Sequence, residues 1–226
     1  MAASGASLKT VRLTSPVSAD AIAGLEIGTV VYLDGVVYTA RESVYKRVVE
    51  DGWALPEGLA ALSNVNFHCS PAASVRADGG YDVGAVTGTA SFRFSPWLDE
   101  WFAKSGAKVI IGKGGMSKEV YQRQFVPVGA VYLTTVGYGT GALLGRGVKA
   151  VRDVLWLKEL GIAQAMWLFD VANFGPFLVE SDLEGNSLFE RENAKIAPGL
   201  EKLYAGTRPA TLRRYGETDD KTEEVS

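Results

Sequence analysis

Apolar and polar positions divide this chain into short segments with two different periods. Lys9–Thr14 alternates as a strand does, and Ser18–Leu25 predicts a short helical turn. Thr29–Ala40 reads as two alternating runs split by Asp34-Gly35, a pair that favours a two-residue hairpin turn because glycine tolerates positive φ. Arg41–Asp51 has helical spacing, with Val44, Val48 and Val49 on one face and Gly52 as the stop, and Pro56–Leu62 reads as a loop. Val65–Cys69 and Tyr81–Phe94 predict strands around an Asp78-Gly-Gly80 turn. Ser95-Pro96 opens a helix whose apolar positions Trp97, Leu98, Trp101 and Phe102 repeat at helical spacing up to Gly106.

The second half is organised around Val109–Met116. Three consecutive β-branched residues predict a buried strand, the glycines around Lys113 turn the backbone, and Ser117 caps a helix over Lys118–Phe125. Ala130–Thr135 is another buried strand. Gly137–Gly147 is glycine-rich and leads into a predicted helix through Val148–Leu160, followed by strands at Ala165–Val171 and Phe177–Glu180 and a turn at Glu184–Ser187. Alternating strands and helices from Ser95 to Val179 imply parallel pairing, while the front half is rich in hairpins. The expectation is an α/β fold with a mixed sheet: an arm and first strand over 1–14, one domain over 15–204, and a charged, flexible tail over 205–226.

Composition narrows the chemistry. Apolar residues make up 47% of the 226, which excludes disorder for most of the chain, and a net charge of −3 gives no support to nucleic-acid binding. One cysteine (Cys69) and one histidine (His68) cannot build a Cys₄ iron–sulfur site or a Cys/His zinc site, so another polypeptide must complete any metal centre. No metal ligand is assigned to this chain. The N-terminal residues lack the basic start and apolar core of a secretion signal, and no apolar run approaches ~20 residues. The expectation is a cytoplasmic protein without a membrane span.

Three cations end strands. Lys113 sits between glycines, where a ligand carboxylate can reach its ammonium and the amide of Gly114; the plain alternative is a solvated lysine on an ordinary turn. Arg41, in Thr39-Ala-Arg41-Glu42, offers a planar fork suited to a carboxylate, or else a surface ion pair. Arg93 closes Thr87-Gly-Thr89-Ala-Ser91-Phe-Arg93, a stretch of small hydroxyl residues that also reads as a polar strand face. Gly137-Tyr-Gly139-Thr-Gly141-Ala142 matches a loose dinucleotide fingerprint, but its acidic candidates, Asp153 and Glu159, fall in the predicted helix. A tight turn that lets the helix pack closely on the sheet is the better reading. His68 reads as a satisfied structural group and Cys69 as a small buried hydrophobe.

Taken in order, Thr39-Ala-Arg-Glu42 with Lys46-Arg47, Gly88–Arg93, Gly112–Met116, Leu160-Gly-Ile, the Trp167 segment and Asp182–Asn186 resemble the β subunit of class I fumarase and L-tartrate dehydratase. The resemblance runs from about Ser15 to about Tyr204. It implies a β/β/α swivelling domain and an iron–sulfur hydro-lyase acting on a hydroxy-dicarboxylic acid. The [4Fe-4S] cluster is then carried by a cysteine-bearing α subunit, in an (αβ)2 assembly. Carried over residue by residue, it makes Arg41, Arg93, Lys113 and Gly114 substrate-binding, and Lys113 and Thr89 catalytic, with Thr89 as the base that takes the C3 proton. The chain departs from the pattern where the family has Gly-Pro-Thr-Thr and this chain Thr87-Gly-Thr-Ala90, where the family has histidine and this chain Tyr45, and after Arg93, where Phe-Ser follows. These departures imply a substrate other than fumarate, a substituted hydroxydicarboxylate. A non-catalytic ligand-binding or complex-stabilising relative that kept the fold is the alternative.

Overall fold

The structure, a computed structural model, describes residues 8–137 and 139–206. The readings of the N-terminal residues and of the charged tail therefore lie outside the described residues, as does Tyr138. The chain divides into two units, Met1–Glu190 and Arg191–Ser226.

The first unit is built on one mixed sheet. Strand β1 (Thr10–Thr14) is followed by helix α1 (Ala19–Ala23), capped by the Ser18 hydroxyl, which accepts from the Ala21 N–H, and then by the long strand β2 (Val30–Thr39). Asp34-Gly35 is not a hairpin turn. β2 runs straight through it, paired parallel with β1 and antiparallel with a later strand, and its register shifts beside Gly35. Gly35 has φ +98°, and a Cβ there would lie 2.6 Å from the Ser15 carbonyl oxygen. The glycine thus serves a close backbone approach rather than a chain reversal, two needs that look identical in sequence.

Helix α2 (Glu42–Tyr45) continues through a wider turn over Lys46–Glu50, burying Val44, Tyr45 and Val48. The Pro56–Leu62 segment, expected as loop, closes with one turn of helix, α3 (Leu59–Leu62), which buries Leu59. Strand β3 (Val65–Phe67) stays in the main sheet, whereas β4 (Cys69–Val75) and β5 (Tyr81–Gly88) form a separate antiparallel hairpin around the expected Asp78-Gly-Gly80 turn. Beyond Gly88 the predicted strand gives way to a 3₁₀ turn (Phe92–Trp97) and helix α4 (Leu98–Ser105), which Gly106 ends at φ +66°.

Strand β6 (Val109–Gly112) and helix α5 (Lys118–Val120, continuing as a wider turn to Phe125) follow as expected, with the Ser117 hydroxyl accepting from the Val120 N–H. β7 (Val131–Thr135) leads to α6 (Gly141–Gly147). The helix expected over Val148–Leu160 is mostly a strand, β8 (Val148–Leu155), with only α7 (Leu157–Leu160) helical. The two strands expected at Ala165–Val171 and Phe177–Glu180 are one, β9 (Met166–Ser181). β9 lies antiparallel to β2, β7 and β8, and its pairing converts the amphipathic Val148–Leu155 segment into a strand that local spacing alone reads as helix. Helix α8 (Leu188–Tyr204) begins in the first unit, and most of its length belongs to the second.

The sheet order is β1-β2-β3-β6-β7-β9-β8, with β2 also paired to β9. β3, β6 and β7 are the parallel core, and the mixed sheet agrees with the expected α/β class. Period-two alternation places Val109, Ile111, Val131 and Leu133 in one buried cluster and Ile110 and Tyr132 in another, so both faces of these strands are covered. Among the described residues no helix is long and apolar enough to cross a membrane.

Candidate active site

The parallel strands open a crevice at their carboxyl ends, where α/β sheets bind ligands. β6 delivers Lys113 there, and two backbone hydrogen bonds tie its neighbours together: the His68 carbonyl accepts from Thr89 N–H at 2.6 Å, and the Thr89 carbonyl accepts from Lys113 N–H at 3.0 Å. Ala90 and Lys113 form a parallel bridge. The loop Thr89–Arg93 is thereby laid alongside the lysine turn, although nineteen residues, α4 and β6 among them, separate them in the chain. Lys113 and Gly114 are exposed and Thr89 is half-buried. Gly114 has φ +72° and open space around its Cα, so its backbone can be approached closely.

Lys113 lines a cleft of about 210 Å³ with Thr87, Gly88, Thr135 and the glycine turn before α6; Arg41 and Arg93 do not line it. Arg93 is exposed on the 3₁₀ turn with its guanidinium 5.6 Å from the Phe94 ring centre. Arg41 precedes α2, and its Nη1 donates to the Ser70 hydroxyl and, at 2.9 Å, to the Ala163 carbonyl. Burial and the nearby positive charge of Arg93 hold the Arg41 guanidinium below its ordinary pKa, which marks the two arginines as neighbours. The site residues thus form two juxtaposed groups: Thr89 with Lys113 through the backbone, and Arg41 with Arg93 through charge. Among the described residues none of the three cations makes an ion pair, although ten other pairs do form.

Beneath this rim lies a buried polar chain that sequence reasoning missed. Tyr132 Oη donates to Ser91 Oγ at 2.8 Å, Ser91 Oγ and His68 Nδ1 are 2.8 Å apart, His68 Nε2 and Tyr45 Oη are 2.8 Å apart, and Tyr45 Oη donates to Asn66 Oδ1 at 3.0 Å. All five residues are fully buried. The crossing point is directly under Gly112, where a Cβ would overlap Ser91 Oγ, so only glycine fits. His68 is a satisfied buried group, as its lone occurrence suggested, and burial lowers its pKa to about 3. A second buried group, Glu180, backs the lysine turn. A Cβ on Gly115 would sit 3.1 Å from the Glu180 carboxyl carbon, Ser187 Oγ donates to its Oε1 at 2.6 Å, and its Oε2 has no hydrogen-bond partner. Burial raises the Glu180 carboxyl above its ordinary range, against the opposing hydrogen bond of Ser187. The only faint signals in sequence were a tyrosine interrupting an apolar strand at Tyr132 and an acid closing one at Glu180.

The Fumarase C-terminus family matches residues 1–192. The chain belongs to that family. Within the family it is 36% identical over 182 residues to a candidate L(+)-tartrate dehydratase subunit beta of Methanocaldococcus jannaschii, covering 79% of this chain and 91% of that one. It is 28% identical over 186 residues to the L(+)-tartrate dehydratase subunit beta of Escherichia coli strain K12, covering 81% and 88%. A candidate class I fumarate hydratase of Geobacillus stearothermophilus is 30% identical over 190 residues, which is 84% of this chain but only 35% of that longer protein.

Family membership fits the glycine turn better than a nucleotide site does. β7 and β8, which flank α6, are not paired with each other; both pair antiparallel with β9. Asp153 lies on β8, not in a helix, and is exposed. The glycines instead let α6 press on β5: a Cβ on Gly145 would collide with the Gly84 carbonyl, and one on Gly141 would sit 3.3 Å from that of Val86. An iron–sulfur cluster does not fit the residues of this chain. Among the described residues no three His, Cys, Asp or Glu side chains gather, and Cys69 is buried with its thiol pKa pushed up by that burial.

Proposed function

We propose that this member of the fumarase C-terminus family is the β-type subunit of a hydro-lyase acting on a hydroxy-dicarboxylic acid, and that it supplies the cationic half of the active site. The observation that carries this reading is the Thr89–Lys113 backbone hydrogen bond at the carboxyl ends of the parallel strands, which ties the loop carrying Thr89 and Arg93 to the turn carrying an unpaired lysine, in a family whose named relatives are hydro-lyases.

Arg41 and Arg93 hold one carboxylate of the substrate, and Lys113 with the Gly114 amide meets the charge that develops as the C3 proton leaves. Withdrawing a proton beside a carboxylate moves negative charge onto its oxygens, and fixed cations stabilise that charge without reorganising. In this reading Thr89 takes the proton. An alkoxide is scarce near neutral pH, so the surrounding positive charge is what makes a threonine serviceable as a base. Gly88 lets β5 pack closely beside this lysine: a Cβ there would lie 3.1 Å from Thr135 Cγ2 and 3.6 Å from Lys113 Cβ, so a larger residue would push against Thr135.

The relatives named as β subunits and the longer class I fumarate hydratase both support a need for an α-type polypeptide, and we place any iron–sulfur cluster on that partner. Co-expression with a cysteine-bearing α-type chain tests this. The expected result is a brown, oxygen-sensitive (αβ)2 complex that dehydrates malate, tartrate or a substituted analogue, while the isolated chain is colourless and inactive. A brown complex that turns over no hydroxy acid overturns the enzymatic reading and leaves a non-catalytic, complex-stabilising subunit.

A further inference from the structure

The proposed chemistry uses the rim of the crevice but not the buried histidine under it. His68 touches neither Thr89 Oγ1 nor Lys113 Nζ through its ring, yet it is the midpoint of the only buried side-chain path that links α2, β3, the Thr89–Arg93 loop and β7 among the described residues. Counting protons along that path fixes its state. There are four contacts, and Tyr132, Ser91, a neutral His68 and Tyr45 supply one O–H or N–H each. Tyr45 donates to Asn66, so its oxygen must accept from His68 Nε2. Tyr132 donates to Ser91, so the Ser91 proton goes to His68 Nδ1. Every contact is then filled once, in one direction. A second proton on the imidazole would leave the Ser91 hydroxyl without an acceptor except the Thr89 carbonyl at 3.5 Å, and would bury a charge with no carboxylate beside it.

We infer that His68 is a positioning residue, a neutral imidazole protonated on Nε2 that accepts from Ser91 and so locks the Thr89–Arg93 loop over Lys113. The same residue acts twice on this loop, because its carbonyl accepts from the Thr89 N–H while its ring takes the Ser91 hydroxyl two residues on. Two attachments from one side chain and one carbonyl fix both position and twist of the segment that carries Thr89 and Arg93. Phe94 packs edge-on to the imidazole at 4.4 Å and Tyr45 at 5.5 Å, so the ring cannot turn to another partner. This rests on Thr89, Arg93 and Lys113 being the groups that meet the substrate.

The test has two independent arms, both on the full chain assembled with its α-type partner. Because the chain has a single histidine, ¹⁵N-histidine labelling gives one imidazole. The long-range ¹H–¹⁵N pattern is expected to show the neutral Nε2–H tautomer unchanged from pH 8 to pH 5.5, and the Thr89 and Lys113 amides are expected to exchange at least tenfold faster in S91A. An Nδ1–H tautomer, an imidazolium, or unchanged exchange overturns the inference whether or not the complex is an enzyme. In the kinetic arm, S91A and H68L lower kcat about 10–100-fold with a smaller change in KM. H68N, whose Oδ1 can stand where Nδ1 does, restores most of the rate, whereas H68Q does not. The H68L/S91A double variant is no slower than the slower single variant. Independent, multiplying losses, or a loss in stability with kcat within twofold of wild type, overturn it. If H68L does not fold, S91A and H68N carry the same comparison. A wild-type complex without turnover refutes the proposed function alone and leaves the first arm to decide the histidine.

Discussion

Strand β6 has a lysine at each end, and the two lysines have opposite fates. At the amino end, Lys108 is half-buried and its Nζ donates to the Val128 carbonyl at 2.5 Å. Its surroundings are closed in the same way: Asn64 clasps the Val17 backbone with both amide groups, accepting from N–H at 2.7 Å and donating to the carbonyl at 2.8 Å, and Ser63 donates to the Val36 carbonyl at 2.7 Å. At the carboxyl end, Lys113 is exposed and its ammonium has no partner among the described residues, and the hydroxyl of Thr89, whose carbonyl accepts from the Lys113 N–H, has none either. One end of the parallel strands spends its polar groups on holding the fold; the other leaves them available to a ligand. Unpaired polar groups held on a well-paired backbone are what distinguish a site from a surface.

The largest effect expected from this contrast is on K113M. Turnover by the assembled complex should fall about 10²–10³-fold, the usual loss when one group that stabilises developing charge is removed, with complex formation unchanged by gel filtration. Unchanged turnover removes Lys113 from the chemistry. Next in size is the acid limb of stability. The His68 pKa in the folded chain is about 3, below the ordinary value of 6.5, so the unfolded chain binds the proton first. Stability is therefore full above pH 6.5 and is lost as pH falls toward 3, at up to about 1.4 kcal/mol per pH unit. Urea midpoints between pH 6.5 and 4.5, above the range of ordinary carboxylates, should show this slope in wild type and a flatter one in H68N. A wild-type slope retained in H68N assigns it to another group.

Glu180 should act with the opposite sign. Its folded pKa is raised, so the folded state holds a proton the unfolded state has given up, and stability falls as pH rises above the ordinary carboxyl value. E180Q should remove that dependence and gain stability at pH 8; a variant less stable than wild type at pH 8 shows that the ionised carboxylate is the form the lysine turn needs. The smallest effect is on K108M, which should cost about 1 kcal/mol of stability, the value of one ordinary hydrogen bond, and leave kcat and KM alone. Should K108M impair turnover as K113M does, the contrast between the two ends fails.

Much of the architecture was legible locally. The β-branched run at Val109–Ile111, the Ser117 cap and the Gly106 stop each act within a few residues, and each stands where its pattern put it. Three of the misreadings share one cause. Asp34-Gly35, Val148–Leu155 and the junction between Val171 and Phe177 were read as turn, helix and break because local preference allows those states. Each became strand because it pairs with β9, or because β9 is itself the strand concerned. Partners 11 to 23 residues away for Val148–Leu155, and more than 100 for Asp34-Gly35, leave no mark in a window of ten.

The sequence by itself determined which residues could carry chemistry. One cysteine and one histidine bar a self-contained Cys₄ iron–sulfur or Cys/His zinc centre, and Arg41 and Lys113 stand just beyond strand ends, because residue identity and short-range backbone preference are written into the chain directly; Arg93, expected at a strand end, stands on a 3₁₀ turn. Only the tertiary structure decided which of these act together. It set Thr89 against Lys113, brought Arg93 within electrostatic reach of Arg41, and threaded Tyr45, His68, Ser91 and Tyr132 into one chain of hydrogen bonds. Hydrogen bonds and Coulomb forces depend on distances in space, and those distances are set by sheet order and register.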